Sequence, residues 1–495
     1  MHASLQVNVK PARDAGAHRL AQAVLLIMLY SLPALVGLHT AAVSDPDIWW
    51  HLRSGEWIVQ HHSFPHLDLF SIFGAGKPWQ AYSWLFETLV FELFHHFGVL
   101  GIVAYTAGAL LAITVACHHL LRRLQYDFSA GVLLTLAACF SCGHLYTPRP
   151  WLLSILFFVL EMDILMQVRR TGDRRELVWL PVIFLLWANV HIQFVDGLLI
   201  LGLAWAESAL SRWHRGVSTH FDLRFATLVS LASFGATLCN PYGWHIYRVA
   251  FDLAAQPGVL NKVQELQAVP FRDPADWCLL ALSMGAVAVL ARSGRLFSFE
   301  AALLPIAMFF SFRSQRDVWI LAVTSVVILA SYQSSIRRSA TGIPATRVPA
   351  WMTPAIVAMS TLVVFSYAHM RQFDHDHLNT RLAETLPVRA LAFVNASQYR
   401  GPVYNDYAWG GYLIWSLRQP VSIDGRAAFY GDQRIDRSMA TWNGRPDWNM
   451  DPDLNSAHLI IGPVQAPLTQ LLRTDSGVKL VYQDQLAAVF VRATR

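Results

Sequence analysis

Two aspartates, two tryptophans, a histidine and an arginine lie close together in residues 44–56, whose sequence is SDPDIWWHLRSGE. This stretch directly follows the first long hydrophobic segment, where a membrane protein normally meets lipid headgroups. Ser44 or Asp45 can cap a helix that begins here, and Pro46 suits its first turn. Acidic Asp47 is favoured near the positive end of that helix. Capping explains one carboxylate; the second is left over and is the candidate for chemistry.

The composition is that of an integral membrane protein. Of the 495 residues, 54% are hydrophobic and 14% are charged, whereas soluble domains have about 45–50% and about 25%. The mean hydropathy is +0.36. A net charge of +5 is compatible with nucleic-acid binding, but most arginines lie in short clusters between hydrophobic segments, where they set membrane topology. We therefore expect no nucleic-acid partner.

The hydrophobic segments predict a polytopic α-helical membrane protein with about eleven spans. Basic residues cluster at every second junction between segments, which places the N-terminus in the cytoplasm and the C-terminus outside. Residues 82–97 are also apolar, but a further span there would invert every later basic cluster, so we predict a helix lying at the membrane interface. The predicted spans lie near residues 20–41, 99–121, 128–146, 151–168, 177–195, 197–211, 223–240, 275–291, 297–312, 317–334 and 350–369.

This topology divides the chain into a cytoplasmic tail (1–19), a membrane module (20–369) with a first outer loop (42–98), and a C-terminal periplasmic domain (370–495). The last part has the pattern of a small α/β domain. Its runs GPVYNDYAWGGYLIW and VSIDGRAAFYGD are interpreted as tightly turned structural core, because paired glycines and Asp-Gly are ordinary turn residues. The predicted elements are a helix around 382–396 and strands at 402–405, 420–424, 457–462 and 478–492.

Charged and polar groups at the membrane rim are costly, so each one without a topological purpose is a candidate for function. Several outer segments carry such groups, and a compact bundle would gather them with Asp45 and Asp47 in one cavity. Arg149 and Arg316 run against the basic bias of the cytoplasmic face and suit a phosphate, although a structural salt bridge explains either one almost as well. The candidates for substrate binding are His51, Arg53, Arg149, Asn189, His191, Asn240, Arg313 and Arg316.

Other conspicuous residues have ordinary explanations. The histidines of the first outer loop match no tight metal-ligand spacing, so we predict no metal site from them. Glu161 and Asp163 fall inside an apolar segment and are expected to face the bundle and pair with neighbours. The tryptophans of the first outer loop are interpreted as an interfacial belt, with sugar stacking as the alternative. They are Trp49, Trp50, Trp57, Trp79 and Trp84.

Several motifs resemble those of a known superfamily. They are DPDIWWHLRSGEWI, FPHLDLFS, GKPWQAYSWL, RPWLLS, WANVHIQF, NPYGWHIY, DYAWGGYLIW and SIDGR. Together with a long first outer loop that opens on acidic residues, many spans and an outer C-terminal domain, they make the chain resemble the GT-C superfamily of polyprenyl-phosphate-sugar-dependent membrane glycosyltransferases. The motifs are similar to those of a broad group of bacterial multi-spanning proteins, and the resemblance covers nearly the whole chain.

The resemblance implies a polyprenyl-phosphate-sugar donor, a glycan, lipid or protein acceptor, and inverting transfer on the periplasmic face of the bacterial inner membrane. An acid of the first outer loop would be the general base toward the acceptor hydroxyl, and by motif this is Asp47, with Asp45 as the alternative. Arg149, His191 and Arg316 are phosphate or acceptor candidates by position. Relatives differ in whether they use a divalent cation, so the resemblance leaves the cofactor open.

Two other functions stay open at this point. A non-catalytic glycan- or lipid-binding component of envelope assembly or translocation would keep the fold without turnover. A transporter agrees less well with the sequence, because neither an inverted repeat nor paired spans broken by Gly or Pro are visible.

Overall fold

The computed structural model describes residues 13–40, 45–124, 127–215, 222–254, 263–294, 298–340, 348–371 and 373–492. Helices up to residue 371 pack around a large apolar core, which continues into the C-terminal domain. In chain order these helices are α1 (Arg13–Thr40), α2 (Ile48–His61), α3 (Trp84–Phe97), α4 (Val99–Leu124), α5 (Phe128–Ser141), α6 (Trp151–Thr171), α7 (Leu180–Val190), α8 (Phe194–Arg215), α9 (Leu223–Thr237), α10 (His245–Ala254), α11 (Pro274–Ser293), α12 (Phe299–Arg313), α13 (Val318–Ala340) and α14 (Thr353–Met370).

Each predicted hydrophobic run contains one of these helices, so the prediction of a polytopic helical membrane protein is confirmed. Helices α5 and α9 are apolar but shorter than a full span. The count of about eleven spans and the orientation of the chain ends stay predictions. Within the described residues, six segments are long and apolar enough to cross a membrane, namely Gly16–Leu38, Val99–Leu124, Trp151–Thr171, Phe194–Trp213, Pro274–Ser293 and Thr353–Met370.

The predicted cytoplasmic tail is only partly described. Residues 1–12 of the predicted cytoplasmic tail lie outside the described residues, and α1 already begins at Arg13.

Asp163 is paired as expected, with Arg123 Nη1 at 2.7 Å. Glu161 is fully buried in α6, but neither of its carboxylate oxygens has a hydrogen-bond partner among the described residues. The expected pairing therefore holds for one of the two acids.

The first outer loop contains α2 and α3, which pack against each other. Helix α3 confirms the helix predicted at 82–97, and its Phe86 and Val90 are fully buried. The two helices cross closely at Gly55, where a Cβ atom would lie 2.1 Å from the carbonyl oxygen of Glu87. Only glycine permits this approach. The loop is thus a packed helical layer that holds the start of α2 in place.

The C-terminal domain combines short helices with a four-stranded sheet of order β1-β2-β4-β3. Strands β1 and β2 are parallel, and β4 pairs antiparallel with both β2 and β3. The strands are β1 (Val403–Asn405), β2 (Leu459–Pro463), β3 (Val478–Gln483) and β4 (Ala487–Arg492). The helices are α15 (His375–Thr385), α16 (Val388–Ala396), α17 (Gly410–Leu417), α18 (Ala427–Tyr430), α19 (Asp432–Trp442), α20 (Pro452–Ser456) and α21 (Pro467–Leu472).

Three predictions for this domain need correction. The helix expected around 382–396 is two helices, because Pro387 cannot donate the helical hydrogen bond at the junction. The strand expected at 478–492 is a hairpin that turns where Asp484 accepts hydrogen bonds from the backbone of Leu486 and Ala487, both 2.8 Å. Residues 420–424 form no strand, since only Val421 makes isolated bridges.

The C-terminal domain docks on the first outer loop. Val421 donates a backbone hydrogen bond to Phe70 and accepts one from Ile72, at 3.0 and 2.9 Å. The Trp49 ring packs edge-on against Tyr412, with 4.9 Å between centroids. Docking corrects the interpretation of the tryptophans, because Trp49, Trp50 and Trp79 are buried in the protein rather than placed in an interfacial belt.

Candidate active site

Arg149 gathers three carboxylates that come from different segments of the chain. Its Nε donates a 2.5 Å hydrogen bond to Asp45 Oδ2, and its Nη1 donates one to Asp47 Oδ2. The third nitrogen, Nη2, lies 3.8 Å from Glu265 Oε2. We call Asp45, Asp47, Arg149 and Glu265 the Arg149 cluster. Of the polar candidates predicted to converge with the acids that precede α2, Arg149 is the one that contacts them directly.

The backbone around Arg149 fixes the guanidinium in this position. Arg149 immediately precedes Pro150, and α6 begins at Trp151. The hydroxyl of Tyr105 in α4 donates a 2.8 Å hydrogen bond to the Arg149 carbonyl. The guanidinium carbon also lies 5.2 Å from the centroid of the Trp151 ring, in a cation–π arrangement. Two neighbouring spans therefore hold the cation that binds the acids.

Neither acid caps α2 in the way the sequence indicated. Asp47 occupies the position before Ile48, but its side chain makes no capping hydrogen bond. Asp45 Oδ1 accepts a 2.9 Å hydrogen bond from the Asp47 backbone, which forms a turn rather than a helix cap. The other candidate cap, Ser44, lies outside the described residues. Capping by Asp45 is wrong because both carboxylates bind the Arg149 guanidinium instead.

Asp47 has the electrostatics of a group that can exchange a proton near neutral pH. Burial raises its pKa to about 6, and the charges of Asp45 and Glu265 act in the same direction. Arg149 opposes this rise by Coulomb attraction and by its hydrogen bond. Burial is the largest of these effects, since removing a carboxylate from water disfavours its charged form. A carboxylate with this pKa suits general-base catalysis.

The C-terminal domain contributes the wall next to Asp47. A Cβ atom on Gly425 would lie 1.6 Å from Asp47 Oδ1, so the backbone of the DGR run is in direct contact with the candidate base. Tyr407 lies at the same place, where burial raises its pKa well above the usual range and the charge of Asp47 adds to the rise. Its hydroxyl is 3.5 Å from the Gly425 carbonyl. The site is therefore built from both the membrane module and the C-terminal domain.

The interpretation of DGR as structural core is correct for its arginine. Arg426 is buried, and its Nε and Nη2 donate to the two oxygens of Asp424 at 2.8 and 2.7 Å. Nη1 donates to Asp68 of the first outer loop at 2.5 Å. This buried network fixes Gly425 relative to α2.

A second cation, Arg316, lies near the Arg149 cluster. Its Nε is buried without a hydrogen-bond partner among the described residues. Both cations act on Tyr82. Burial raises the pKa of Tyr82 to about 12, and the charges of Arg316 and Arg149 oppose this rise. Arg316 follows α12 in the same short segment as Asp317, whose Oδ1 accepts a 2.6 Å hydrogen bond from Gln193. An arginine with a buried donor that has no partner among the described residues is suited to bind an anion.

Two histidines are placed close to these charges. His51 Nδ1 lies 3.2 Å from Glu87 Oε1, and Ser54 Oγ donates a 2.5 Å hydrogen bond to the other oxygen. Burial lowers the pKa of His51 well below its usual value, and Arg149 and His191 lower it further. Burial raises the pKa of Glu87 to about 8. The pair is therefore uncharged at neutral pH.

His191 and Asn189 lie at the end of α7. His191 Nδ1 is 2.9 Å from Ser154 Oγ, and both Arg149 and Arg316 are close enough to act on its charge. Asn189 joins three segments: its Nδ2 donates to the Leu185 and Cys239 carbonyls, and its Oδ1 accepts from Trp84 at 2.7 Å. The structure thus brings His191 to the cations, whereas the polar atoms of Asn189 serve the packing of helices. A role for either in substrate binding stays a prediction.

The remaining predicted residues lie in other surroundings. Arg53 binds Glu56, which also binds Arg418 of the C-terminal domain, so this arginine belongs to the contact between domains. Asn240 closes its own turn, with Nδ2 donating to the Thr237 carbonyl at 2.7 Å. Arg313 is exposed at the end of α12. The assignment of these three residues to substrate binding stays a prediction, and no contact with the Arg149 cluster supports it.

Four residues of the site were not singled out by sequence reasoning. Glu265 lies in a polar outer segment with no motif of its own, and Tyr82 stands among aromatic residues that look like membrane-interface anchors. Tyr407 and Gly425 lie in the two runs interpreted as structural core. A glycine between an aspartate and an arginine, as in SIDGR, is compatible with a close approach of another segment to its backbone as well as with a turn. Nothing local to these residues distinguishes the two.

Comparison with solved structures adds a fold assignment to this geometry. AglB, an archaeal oligosaccharyltransferase from Archaeoglobus fulgidus solved with an inhibitory peptide and a dolichol-phosphate, aligns with a TM-score of 0.58 at 12% identity, over 91% of this chain and 69% of that one. The chain has a GT-C fold. The predicted fold class is thereby confirmed. At such low identity the likeness concerns the fold alone.

Two further solved structures are similar to the chain. An Archaeoglobus fulgidus oligosaccharyltransferase in complex with Zn and sulfate gives a TM-score of 0.56 at 12% identity, over 90% of this chain and 68% of that one. ArnT from Cupriavidus metallidurans in the apo state gives 0.48 at 13% identity, over 96% and 98% of the two chains. No protein-family model matches the chain, and no curated protein matches it either.

The GT-C fold raises the question of a metal, because one of these structures contains Zn. A divalent cation needs carboxylate oxygens that are free to surround it. In the Arg149 cluster the guanidinium takes the position between the oxygens of Asp45 and Asp47. Within the described ranges, no group of three or more His, Cys, Asp or Glu side chains is arranged to hold a metal ion. As arranged, the cluster does not fit a divalent cation.

Proposed function

We propose that this protein is an inverting membrane glycosyltransferase, which transfers a sugar from a polyprenyl-phosphate donor to a glycan, lipid or protein acceptor of the bacterial envelope. The observation that carries the proposal is the Arg149 cluster, in which burial raises the pKa of Asp47 to about 6 beside a fixed cation. The GT-C fold supports the donor class, because AglB with this fold is solved with a dolichol-phosphate. The predicted topology puts the cluster on the periplasmic face of the inner membrane.

In the proposed reaction Asp47 is the general base. Its carboxylate accepts the proton of the acceptor hydroxyl while the hydroxyl oxygen attacks the anomeric carbon from the side opposite the phosphate. The bond between the anomeric carbon and the phosphate oxygen breaks, and the polyprenyl phosphate leaves with the electron pair. A single displacement of this kind inverts the anomeric centre. We prefer Asp47 to Asp45 because it combines the raised pKa with direct contact to the C-terminal domain.

Arg316 is the proposed partner of the leaving phosphate. Negative charge grows on the phosphate oxygens as the bond breaks, so a preorganised cation lowers the barrier. Arg149 already binds two carboxylates, whereas Arg316 Nε has no hydrogen-bond partner within the described part of the chain. Neutral His51, together with His191, is suited to orient the acceptor hydroxyl. No step is assigned to a divalent cation, and a chelator is expected to leave transfer unchanged.

The test is a glycan and lipid profile of the envelope, measured by mass spectrometry in a deletion strain that is complemented with variants. Wild type is expected to restore one sugar addition that Asp47→Asn and Arg316→Gln do not restore. Asp376→Asn, a change at an exposed acid of α15, is the matched control and should restore it fully. Full restoration by both Asp47→Asn and Asp45→Asn would overturn the mechanism.

A second function has one observation in its favour. Arg149 satisfies Asp45 and Asp47 so completely that the cluster would also serve as a structural ion pair in a non-catalytic glycan- or lipid-binding component of the same fold. In that case purified protein would bind polyprenyl phosphate without any turnover. Acceptor-dependent release of polyprenyl phosphate from the sugar donor by the purified protein would exclude this function.

A further inference from the structure

A cavity of about 430 Å³ lies between α1, α4, α6 and α14, away from the Arg149 cluster. Most of its wall is apolar and is formed by side chains such as Leu111 and Val115 of α4, Leu156 and Leu160 of α6, and Val357 of α14. Helix α14 is mostly exposed on its other sides, which is expected of a helix that faces lipid. The cavity is therefore a crevice between spans rather than part of the site described above.

The polar groups of this crevice are confined to one end, at the last turns of α4. His118 Nδ1 hydrogen-bonds to the Tyr30 hydroxyl at 2.7 Å, so that imidazole is already engaged. Asp163 is paired with Arg123, with 2.7 Å between Nη1 and Oδ2, and the Nη2 of Arg123 also binds Glu176 at 2.6 Å. His119 is 3.9 Å from the same carboxylate.

Arg122 is different, because it lines the crevice without an ion pair or hydrogen bond to any described residue. It is half-buried, so its charge is only partly compensated by water. A guanidinium in this position suits a phosphate group, with which it can form two parallel hydrogen bonds. The end of the crevice thus has a guanidinium without an ion pair among the described residues, next to an apolar wall.

The dimensions of the crevice correspond to one leaflet of a bilayer. The lining residues of α4 run from Gly108 to Arg122, and these 14 steps along a helix cover about 21 Å. Half of a bilayer including its headgroups is about 20–22 Å thick. Basic pockets between spans on the cytoplasmic side are suited to anionic lipid headgroups. The basic clusters predict that Arg122 lies at the cytoplasmic end of α4.

We propose that this crevice binds one anionic phospholipid of the cytoplasmic leaflet, with the phosphate on Arg122 and one acyl chain along the apolar wall. A soluble phosphate would use only the polar end and would leave the apolar wall without a partner. The lipid would fill the space between α14 and the rest of the bundle, which predicts that it stabilises the fold. This site is separate from the donor site of the proposed reaction.

The experiment is native mass spectrometry of the full-length protein, delipidated in detergent and titrated with phosphatidylglycerol or with phosphatidylcholine of the same acyl chains. Arg122→Gln tests the phosphate contact, and Arg212→Gln, at an exposed arginine of α8, is its control. Gly108→Leu tests the apolar wall, because a side chain there meets no atom within 4 Å and would enter the crevice. Gly202→Leu, an equally open and exposed glycine of α8, is the matched control.

Wild type is expected to retain one phosphatidylglycerol at a concentration at least about fivefold lower than phosphatidylcholine. Arg122→Gln should abolish this preference, Gly108→Leu should abolish retention of both lipids, and the two controls should behave as wild type. Equal melting temperatures of delipidated wild type and variants would show that each variant is folded. Equal retention of both lipids by wild type, or wild-type behaviour of Arg122→Gln or Gly108→Leu, would overturn the proposal. Displacement of phosphatidylglycerol by an equal concentration of undecaprenyl phosphate would also overturn it, since the crevice would then be an isoprenoid site.

Discussion

Arg149 donates a hydrogen bond to Asp47 across 102 residues of sequence and thereby joins the start of α6 to the start of α2. Burial and Arg149 have opposite effects on the pKa of Asp47. Burial disfavours the carboxylate charge, Arg149 favours it, and the larger effect of burial raises the pKa to about 6. Asp47 is therefore ionised at neutral pH but remains a stronger base than an exposed aspartate.

This balance predicts the pH dependence of transfer. A general base works only when it is deprotonated, so the rate should fall as the pH drops through about 6, the pKa of Asp47. Asp47→Asn should lower the rate by about 10²–10⁴-fold and remove this acidic limb. The measurement is a pH–rate profile with purified protein and a polyprenyl-phosphate sugar. A limb that persists unchanged in Asp47→Asn would assign the titration to another group.

Removal of Arg149 should cost far more stability than removal of an exposed arginine. Arg149→Gln leaves Asp45 and Asp47 buried without their cation, and breaking a buried ion pair from one side costs about 3–5 kcal/mol. Arg313→Gln is the control, because that side chain is exposed at the end of α12. Thermal unfolding of both variants in the same detergent gives the comparison. An equal loss in both would mean that the cluster contributes no special stability.

The contact between the C-terminal domain and the base can be tested at one glycine. In Gly425→Ala the new methyl group would lie 1.6 Å from Asp47 Oδ1, so either the carboxylate or the domain must move. We expect transfer to fall by at least about tenfold, since misplacement by about 1 Å costs up to 10²-fold. Gly143→Ala, where a Cβ meets no atom within 4 Å, should keep full activity. Full activity in Gly425→Ala would show that the contact between the C-terminal domain and Asp47 is not needed for transfer.

The sequence predicts the membrane bundle well because the physics of spans is local. A long run of apolar residues forms a helix in a bilayer whatever its neighbours are, and each predicted run contains a helix, although some of these helices are shorter than a full span. The C-terminal domain was less predictable, because Val421 bridges to Ser71 of a distant loop instead of extending a local strand. Pairings of this kind depend on tertiary packing, which residue patterns do not encode.

The same difference between local and distant effects explains what was predicted of the site. Asp45, Asp47 and Arg149 were found because charge at a membrane rim has to have a reason. The capping role given to Asp45 was wrong, because the competing partner, Arg149, is 104 residues away. Gly425 looked like an ordinary turn residue for the same reason, since its neighbour Asp47 belongs to another domain.

Glu87 should make the stability of the protein fall as the pH rises. Burial raises its pKa from the ordinary 4.5 to about 8, so between these values the folded state binds more protons than the unfolded state. The contribution of Glu87 to the free energy of unfolding therefore decreases from about pH 4.5 to about pH 8, because the slope follows the difference in bound protons between the two states. Glu87→Gln removes the titrating group and keeps an uncharged side chain of similar shape, so its stability should change less over this range.

Melting temperatures of wild type and Glu87→Gln at about pH 5 and about pH 8 test this prediction. Glu92→Gln is the matched control on the same helix, because the Glu92 side chain is 43% exposed and should leave the wild-type slope unchanged. If wild type and Glu87→Gln lose stability in parallel, Glu87 is ionised in the folded state. His51 would then be paired with a carboxylate, and its neutral form could no longer be assumed in the proposed site.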